Sequence, residues 1–316
     1  MLGAEVSVLI PVKNGGELFR RALSMVLSQQ TSFVYEVIVI DSGSSDGSDR
    51  FAESLRDPRL TLHRIPPEEF NHGSTRNFAA GLAQGALLVF MVQDALPGNV
   101  RWLESLIAPM ADPTLAGVCA RQLPRPESGY FVRKYACQIL AYSTKSRVAS
   151  VHSAEAFERL SAAEKYSLCY FDNVCACIRR SVWQNIQFDR VDFGEDIRWA
   201  RKALLAGYRL AFEPSAFVYH SHDRPWTYTF KRLTHDHWNL YHLFGMECVP
   251  SFRFAVRAFW GSWIQHCREA READLAFYRK LPLFMHACSK PFAEVFGQYW
   301  GLRLAKAGRG PAFRGV

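Results

Sequence analysis

Apolar positions along the first 125 residues switch repeatedly between two periods. Short β-rich runs occur at 6–12 (VSVLIPV), 35–41 (YEVIVID), 60–65, 86–93 (ALLVFMVQ) and 116–120. Between them apolar side chains recur at helical spacing, as Leu18, Ala22, Met25 and Val26 do within 17–30. Further helices are expected after cap-forming residues Ser44 to Asp46, over 74–84 closed by Gly85, and over 99–110. The 86–93 run is apolar nearly throughout, as a strand covered on both faces requires. Strands alternating with helices imply right-handed crossovers and a mostly parallel sheet. From 126 to 170 the pattern loosens into aromatic and polar segments, expected to be helical. It tightens again into a helix at 195–205, closed by Gly207, and strands at 208–213 and 216–219. After Arg224 the chain reads as helical, aromatic and basic. These shifts predict an α/β body at 1–223, divisible into 1–125 and 126–223, and a helical region at 224–316.

Composition narrows the picture. With 49% of 316 residues apolar and 14% aromatic, a disordered or fibrous chain is excluded. Glu5 and Lys13 interrupt the only early apolar run, so no secretory signal is expected, and no stretch approaches the roughly 20 apolar residues of a membrane span. Cys119, Cys137, Cys169, Cys175, Cys177, Cys248, Cys267 and Cys288 form no CxxC pair, which points to buried reduced thiols in a cytoplasmic protein. The net charge of +8 is unevenly placed: residues 224–316 carry 14 basic against 6 acidic side chains, while 1–223 balance. A basic tail on a neutral body implies an anionic partner surface, on charge alone either lipid or nucleic acid, or else a merely soluble basic face.

In open parallel sheets, ligands bind where the carboxyl ends of the strands converge. Three polar groups fall at such ends: Pro11-Val12-Lys13-Asn14, Asp41-Ser42-Gly43 and Gln93-Asp94-Ala95. A lone Asp there is ordinarily a cap or turn former, but several meeting on one edge make a site. No GxGxxG follows the first strand and no GxxxxGK[ST] occurs, which removes the main support for dehydrogenase and P-loop readings.

These residues, with VSVLIPVKNGG and EVIVIDSGSSDGS, resemble the GT-A glycosyltransferases of family 2, and among them bacterial rhamnosyltransferases of O-antigen and capsule synthesis. The likeness extends to Phe70-Asn71-His72-Gly73-Ser74-Thr75-Arg76-Asn77, Gln93-Asp94-Ala95, Arg179-Arg180 with Trp183, Gly194-Glu195-Asp196 with Trp199-Ala200, and His220-Ser221-His222. It spans about residues 5–225. The implied fold is α/β, a Rossmann-like nucleotide-diphospho-sugar transferase with helices on both sheet faces and a C-terminal helical region. The first half of the body would bind the nucleotide sugar and the second half the acceptor.

The resemblance implies roles. Asp41 would accept the imide N–H of uracil or thymine, with Pro11, Asn14 and Gly43 shaping that pocket. Asp46 reads better as a helix cap than as a ligand. Asp94 matches the last carboxylate of the family's DxD element; read centrally instead, it leaves Gln93 in the first position and Ala95 in the last. A Mg²⁺ or Mn²⁺ ion would neutralise the leaving diphosphate, with His220 or His222 as a further ligand. Arg76 would contact diphosphate or secure Asp94, and His72 would face the sugar, while Ser74 or Thr75 caps the helix. Asp196 is the expected general base, with Glu195 orienting it. Asp172, Asn173 and Trp199 are expected on the acceptor side.

The implied reaction is an inverting hexosyl transfer from a dTDP- or UDP-linked sugar, rhamnose or a related deoxyhexose, to a saccharide or lipid-linked saccharide. The implied location is cytoplasmic, peripheral on the inner membrane. The tail interleaves Trp226, Trp238, Phe259, Trp260 and Trp263 with Lys231, Arg232, Arg253, Arg257 and Arg268. It would lie on anionic lipid, or pack on the body or on a second subunit of a homo-oligomer. With the nucleotide-sugar reading, no nucleic-acid partner is expected. Two alternatives stay open here: a sugar-phosphate nucleotidyltransferase, and a non-catalytic lipid- or nucleic-acid-binding protein.

Overall fold

The computed structural model describes residues 3–136, 140–222 and 224–313. Cys137, expected as a buried thiol, lies outside them. Two compact units emerge: residues 1–160 with 167–222, and 161–166 with 223–316.

The first unit is a nine-stranded sheet. Its strands are β1 (Val6–Val12), β2 (Tyr35–Asp41), β3 (Leu60–Arg64), β4 (Leu87–Met91), β5 (Leu96–Pro97), β6 (Leu115–Leu123), β7 (Arg147–Ala149), β8 (Cys175–Arg179) and β9 (Arg209–Tyr219). They lie in the order β3-β2-β1-β4-β8-β6-β9-β5, with β7 also on β9. β1 to β4, β6 and β9 run one way; β5, β7 and β8 run against them. The helices are α1 (Gly16–Leu27), α2 (Ser48–Ser54), α3 (His72–Leu82), α4 (Trp102–Ile107), α5 (Tyr130–Tyr135), α6 (Ala154–Glu158), α7 (Ala162–Leu168), α8 (Arg180–Asn185) and α9 (Glu195–Leu205), α7 straddling the boundary between the units. The core is built where the apolar runs meet: Val8, Ile10, Val37, Val39, Val89 and Met91 are fully buried beside Phe19 and Leu23 of α1. Each such side chain contributes about 1.5–3 kcal/mol by leaving water.

Several sequence expectations shift. Gly85 does not close α3, which ends at Leu82. It is a glycine because a Cβ there would stand 2.8 Å from the backbone of Val6 and Ser7. The short helix expected at Ser44 starts instead at Ser48, after Gly47 in the left-handed region (φ 83°). Asp46 still serves that turn, its Oδ1 accepting from the Ser48 N–H at 3.0 Å and its Oδ2 from Gly16. The two strands expected at 208–219 are one, β9, whose register against β6 slips between Glu213 and Phe217. Residues 126–170 are not wholly helical, since β7 lies among them, and β8 was not foreseen.

The second unit contains α10 (Trp226–Phe244), α11 (Phe252–Glu272) and α12 (Phe277–Lys306). α10 and α12 cross closely because Gly297 and Gly301, one turn apart, present no side chain; a Cβ on Gly301 would lie 2.4 Å from the Thr234 carbonyl. Val249, Ala255 and Val295 form its small core with Phe259, Phe296 and Tyr299. No helix among the described residues is long and apolar enough to cross a membrane. Cys119, Cys169, Cys175 and Cys177 are buried and free, as expected, but Cys267 is half-buried and Cys248 and Cys288 are exposed, because they sit on solvent faces of this unit. Burial pushes the Cys119, Cys169 and Cys177 thiols up to about 12.

Candidate active site

The strand order brings polar residues from six neighbouring strands to one edge. β1 lies between β2 and β4, so the connections reverse direction there and leave a crevice at the carboxyl ends. Asp41 ends β2, Asn14 follows β1, Gln93 and Asp94 follow β4, Gln122 and Arg125 end and follow β6, and His220 and His222 follow β9. β8 runs the other way, so its preceding residues, Asp172 and Asn173, arrive at the same edge.

The nucleotide end is tied by short loops. The Lys13 N–H donates to Gln93 Oε1 at 2.8 Å, bridging the two strands of the crevice. Asn14 adopts a left-handed conformation (φ 48°), and its Oδ1 accepts from the Ser45 N–H at 2.7 Å. Asp41 Oδ1 accepts from the Gly43 and Ser44 N–H groups, both at 3.0 Å. Its Oδ2 is buried and has no hydrogen-bond partner among the described residues. An unsatisfied buried carboxylate oxygen is costly, and such an atom is a ready acceptor for a ligand N–H. Gly43 (φ 85°) must be glycine, since a Cβ would meet Pro67 at 2.5 Å. Pro11, which lacks an N–H, sits two residues past Leu9, where pairing with β4 has stopped.

At the centre, one ligand atom each from Asp94, His220 and His222 lie within 4.8 Å of one another. His220 Nε2 is 3.7 Å from Asp94 Oδ1, and His222 Nδ1 is 3.6 Å from Asp94 Oδ2. His220 Nδ1 is held by Gln122 Oε1 at 2.9 Å, and Gln122 Nε2 donates to Asp172 Oδ2 at 2.6 Å. This outer bond fixes the ring so that Nε2 faces Asp94, the arrangement that orients a metal-binding imidazole. Arg125 Nη1 lies 3.7 Å from Asp94 Oδ2, and Arg125 also donates to the Ser221 carbonyl.

Beyond Asp172 lies the acid pair. The Asn173 N–H donates to Asp196 Oδ2 at 3.2 Å, and Asn173 Nδ2 to Glu195 Oε1 at 3.3 Å. Arg76 Nη1 stands 3.1 Å from Glu195 Oε1, both side chains being less than a tenth exposed. Burial alone would lift the Glu195 carboxyl, but the Arg76 guanidinium, with His72, holds it below the ordinary range. Asp196 goes the other way: burial first, then the charges of Glu195 and Asp172, push its carboxyl well above the ordinary value. Two adjacent carboxyls thus have opposite proton affinities, one fixed as an anion and one able to take up a proton.

Residues 7–186 match the family described as Glycosyl transferase family 2. The chain belongs to that family. It is 32% identical over 222 residues to the O-antigen chain rhamnosyltransferase RfbN of Salmonella typhimurium, covering 69% of this chain and 67% of that one. It is 28% identical over 220 residues to the O-antigen chain rhamnosyltransferase WbaN of Salmonella anatum, covering 69% and 66%. The match therefore spans about two thirds of each relative. Among solved structures, the mannosyltransferase PcManGT from Pyrobaculum calidifontis, in complex with GDP-Man and Mn²⁺, superposes with a TM-score of 0.55 at 20% identity over 97% of this chain and 76% of that one. S. aureus TarS 1-349 in complex with UDP-GlcNAc gives 0.53 at 15% identity over 96% and 92%. At these identities the structures establish the fold, GT-A-like, and nothing finer.

Within this family 2 glycosyltransferase, several site expectations are corrected. Trp199 is not at an acceptor surface: it is 1% exposed, its indole N–H donates to the Ile186 carbonyl at 2.8 Å, and its ring packs on Phe171 and Phe188. Asp172 Oδ2 accepts from Gln122 Nε2 and its Oδ1 from the Val174 N–H, while Asn173 bonds both members of the acid pair. Arg76 pairs with Glu195; the ionic partner of Asp94 is Arg125. Neither Ser74 nor Thr75 is the N-cap of α3. Asn71 caps it by accepting from the Ser74 N–H, and the Asn71 N–H donates to Thr75 Oγ1. The motif around His72 also clamps the segment before α9. Asn77 binds both backbone groups of Phe188, Asn71 reaches the Val191 carbonyl, and a Cβ on Gly73 would stand 1.9 Å from the Asp189 carbonyl.

Gln122 and Arg125 were missed. The expected strand stopped at 120, three residues short of the real end of β6, so the polar residues that end and follow it were not legible as strand-end groups.

Proposed function

We propose that this glycosyltransferase moves a deoxyhexose, rhamnose or a close relative, from a dTDP- or UDP-linked donor to a hydroxyl of a saccharide or lipid-linked saccharide in surface-polysaccharide synthesis, with inversion. The observation that carries the reading is the run of polar groups from Asp94 past His220 and Gln122 to Asp172, together with the bonds by which the next residue, Asn173, holds Asp196 and Glu195, on the sheet edge that also bears Asp41. The Salmonella relatives support rhamnose as the sugar. The orphaned Asp41 Oδ2 supports a base with an imide N–H, because cytosine carries no proton at that nitrogen.

Asp94, His220 and His222 would hold a divalent ion, and the Mn²⁺ of the PcManGT complex favours Mg²⁺ or Mn²⁺. Such an ion supplies positive charge against the leaving diphosphate. Arg125 adds a fixed positive charge at the same place. Asp196 takes the proton of the acceptor hydroxyl as that oxygen bonds to the anomeric carbon and the bond to the diphosphate oxygen breaks. Glu195, kept ionised by Arg76, holds the neighbouring charge that keeps Asp196 basic. Residues 1–125 would carry the donor and 126–223 the acceptor side, on the cytoplasmic face of the inner membrane.

The test is a panel of nucleotide sugars with Mn²⁺ and soluble acceptors, scored for release of nucleoside diphosphate and for anomeric configuration by NMR. Diphosphate release with inverted product is expected. Pyrophosphate release would revive a nucleotidyltransferase, and retained configuration would end the single-displacement mechanism.

A further inference from the structure

In α11, the exposed positions Arg253, Arg257, Trp260, Ile264, Arg268 and Arg271 follow one another at intervals of three and four, so they form a single stripe. Trp260 and Ile264 are 51% and 59% exposed. In α12, Tyr278, Leu281, Met285, Cys288 and Phe292 make a second stripe at the same intervals, with no charge in it. Met285 and Tyr278 are exposed by 70% and 71%. Phe259 and Trp263, whose rings lie 5.5 and 5.3 Å from that of Trp260, bridge the two stripes. Trp263 Nε1 donates to Cys288 Sγ at 3.4 Å, and the Phe259 and Phe292 rings are 6.5 Å apart. A protein that leaves this much contiguous apolar surface in water does so for a partner.

We propose that the α11–α12 hairpin is a docking surface for an anionic lipid bilayer, lying in the interface with the apolar stripe of α12 at the acyl boundary and the arginines of α11 on lipid phosphates. This rests on the inner-membrane location proposed above and assigns it a surface, while the transferase chemistry does not enter it. Arginine guanidinium groups match phosphate oxygens, and Trp and Tyr favour headgroup depth. The acidic residues of α11 do not oppose the fit, since Glu269 is buried and Glu272 pairs with Arg268. A second copy fits poorly. A two-fold contact through this stripe would set Arg253 against Arg271 and Arg257 against Arg268, like charge on like charge.

The experiment is sedimentation of the full chain with vesicles of phosphatidylcholine alone and of phosphatidylcholine mixed with phosphatidylglycerol. The mixed vesicles are expected to carry the protein down and the neutral ones to carry little. One basic residue near anionic lipid is worth about fivefold in partitioning, so Arg253→Gln with Arg257→Gln should weaken binding roughly 25-fold. Trp260→Ser with Met285→Ser should abolish binding at any salt, and both variants should keep wild-type donor hydrolysis and melting temperature. Equal binding to neutral and anionic vesicles, or none to either, overturns the proposal. So does a dimer in analytical ultracentrifugation that Trp260→Ser dissolves. Donor hydrolysis is read separately, so failure here leaves the transferase reading untouched.

Discussion

Replacing Arg76 with Met removes the guanidinium paired with Glu195 while keeping much of the side-chain volume. The pair is 3.1 Å apart and both side chains are under a tenth exposed, so solvent does little to screen it. Breaking a buried pair from one side strands the other charge and costs about 3–5 kcal/mol. For a unit of roughly this size each kcal/mol shifts the melting temperature by about 2–4 °C, so a fall of about 6–20 °C is expected near pH 7. The sign with pH follows from Glu195, whose carboxyl is held below its ordinary value in the folded state. Its stabilising contribution is present above the unfolded value and is lost as pH falls through the depressed folded value. In Arg76→Met, burial without compensation leaves Glu195 ready to protonate, so the penalty against wild type should shrink as pH falls. Adding Glu195→Gln should recover part of the loss at neutral pH. Denaturant unfolding of the four proteins of this cycle across pH reads all of it. A penalty under about 1 kcal/mol, or one that does not change with pH, would refute the reasoning.

Three further outcomes are expected. Asp172→Asn removes one of the charges that raise Asp196, so the acidic limb of the rate profile should move to lower pH; an unmoved limb means Asp196 is not the titrating base. Gln122→Ala frees the His220 ring from its outer bond and should weaken Mn²⁺ binding about 10–100-fold by calorimetry with nucleoside diphosphate present, and unchanged affinity would remove His220 from the ligand set. Asp41→Asn gives up a charged acceptor worth about 1.5–3 kcal/mol, so UDP or dTDP should bind roughly 10–100-fold more weakly, and equal binding would place the base elsewhere.

Much of this was legible in the sequence, for local reasons. Apolar runs marked β1, β2 and β4 because their strands are buried on both faces, and the polar residue ending each run fell on the active edge. Glu195 and Asp196 were legible because Gly194 (φ 76°) must open the helix that carries them. What escaped depends on contacts remote along the chain. β8 runs against its neighbours, which nothing in a five-residue apolar run encodes, so the bonds by which Asn173 holds the acid pair could not be read from the sequence. Trp199 sits one turn past Glu195 on the same buried face of α9, where its ring packs on Phe171 and Phe188. Arg76 lies closer in sequence to Asp94 than to Glu195, 119 positions away, and only the packing of α3 on the segment before α9 selects the distant carboxylate. Gln93 shows the reverse case: its departure from an acidic residue has a use, because an amide oxygen accepts the Lys13 N–H across the crevice.

The central claim is that one edge of the sheet holds a cation, a pyrimidine diphosphate and a proton acceptor together. Diffraction from crystals grown with Mn²⁺ and UDP or dTDP, collected for manganese anomalous signal, tests it most directly. The account predicts an anomalous peak bonded to Asp94 and at least one of His220 and His222, diphosphate oxygens on the same ion, and the base N–H on Asp41 Oδ2. A peak away from Asp94, or a base bound where Asp41 does not touch it, would contradict it.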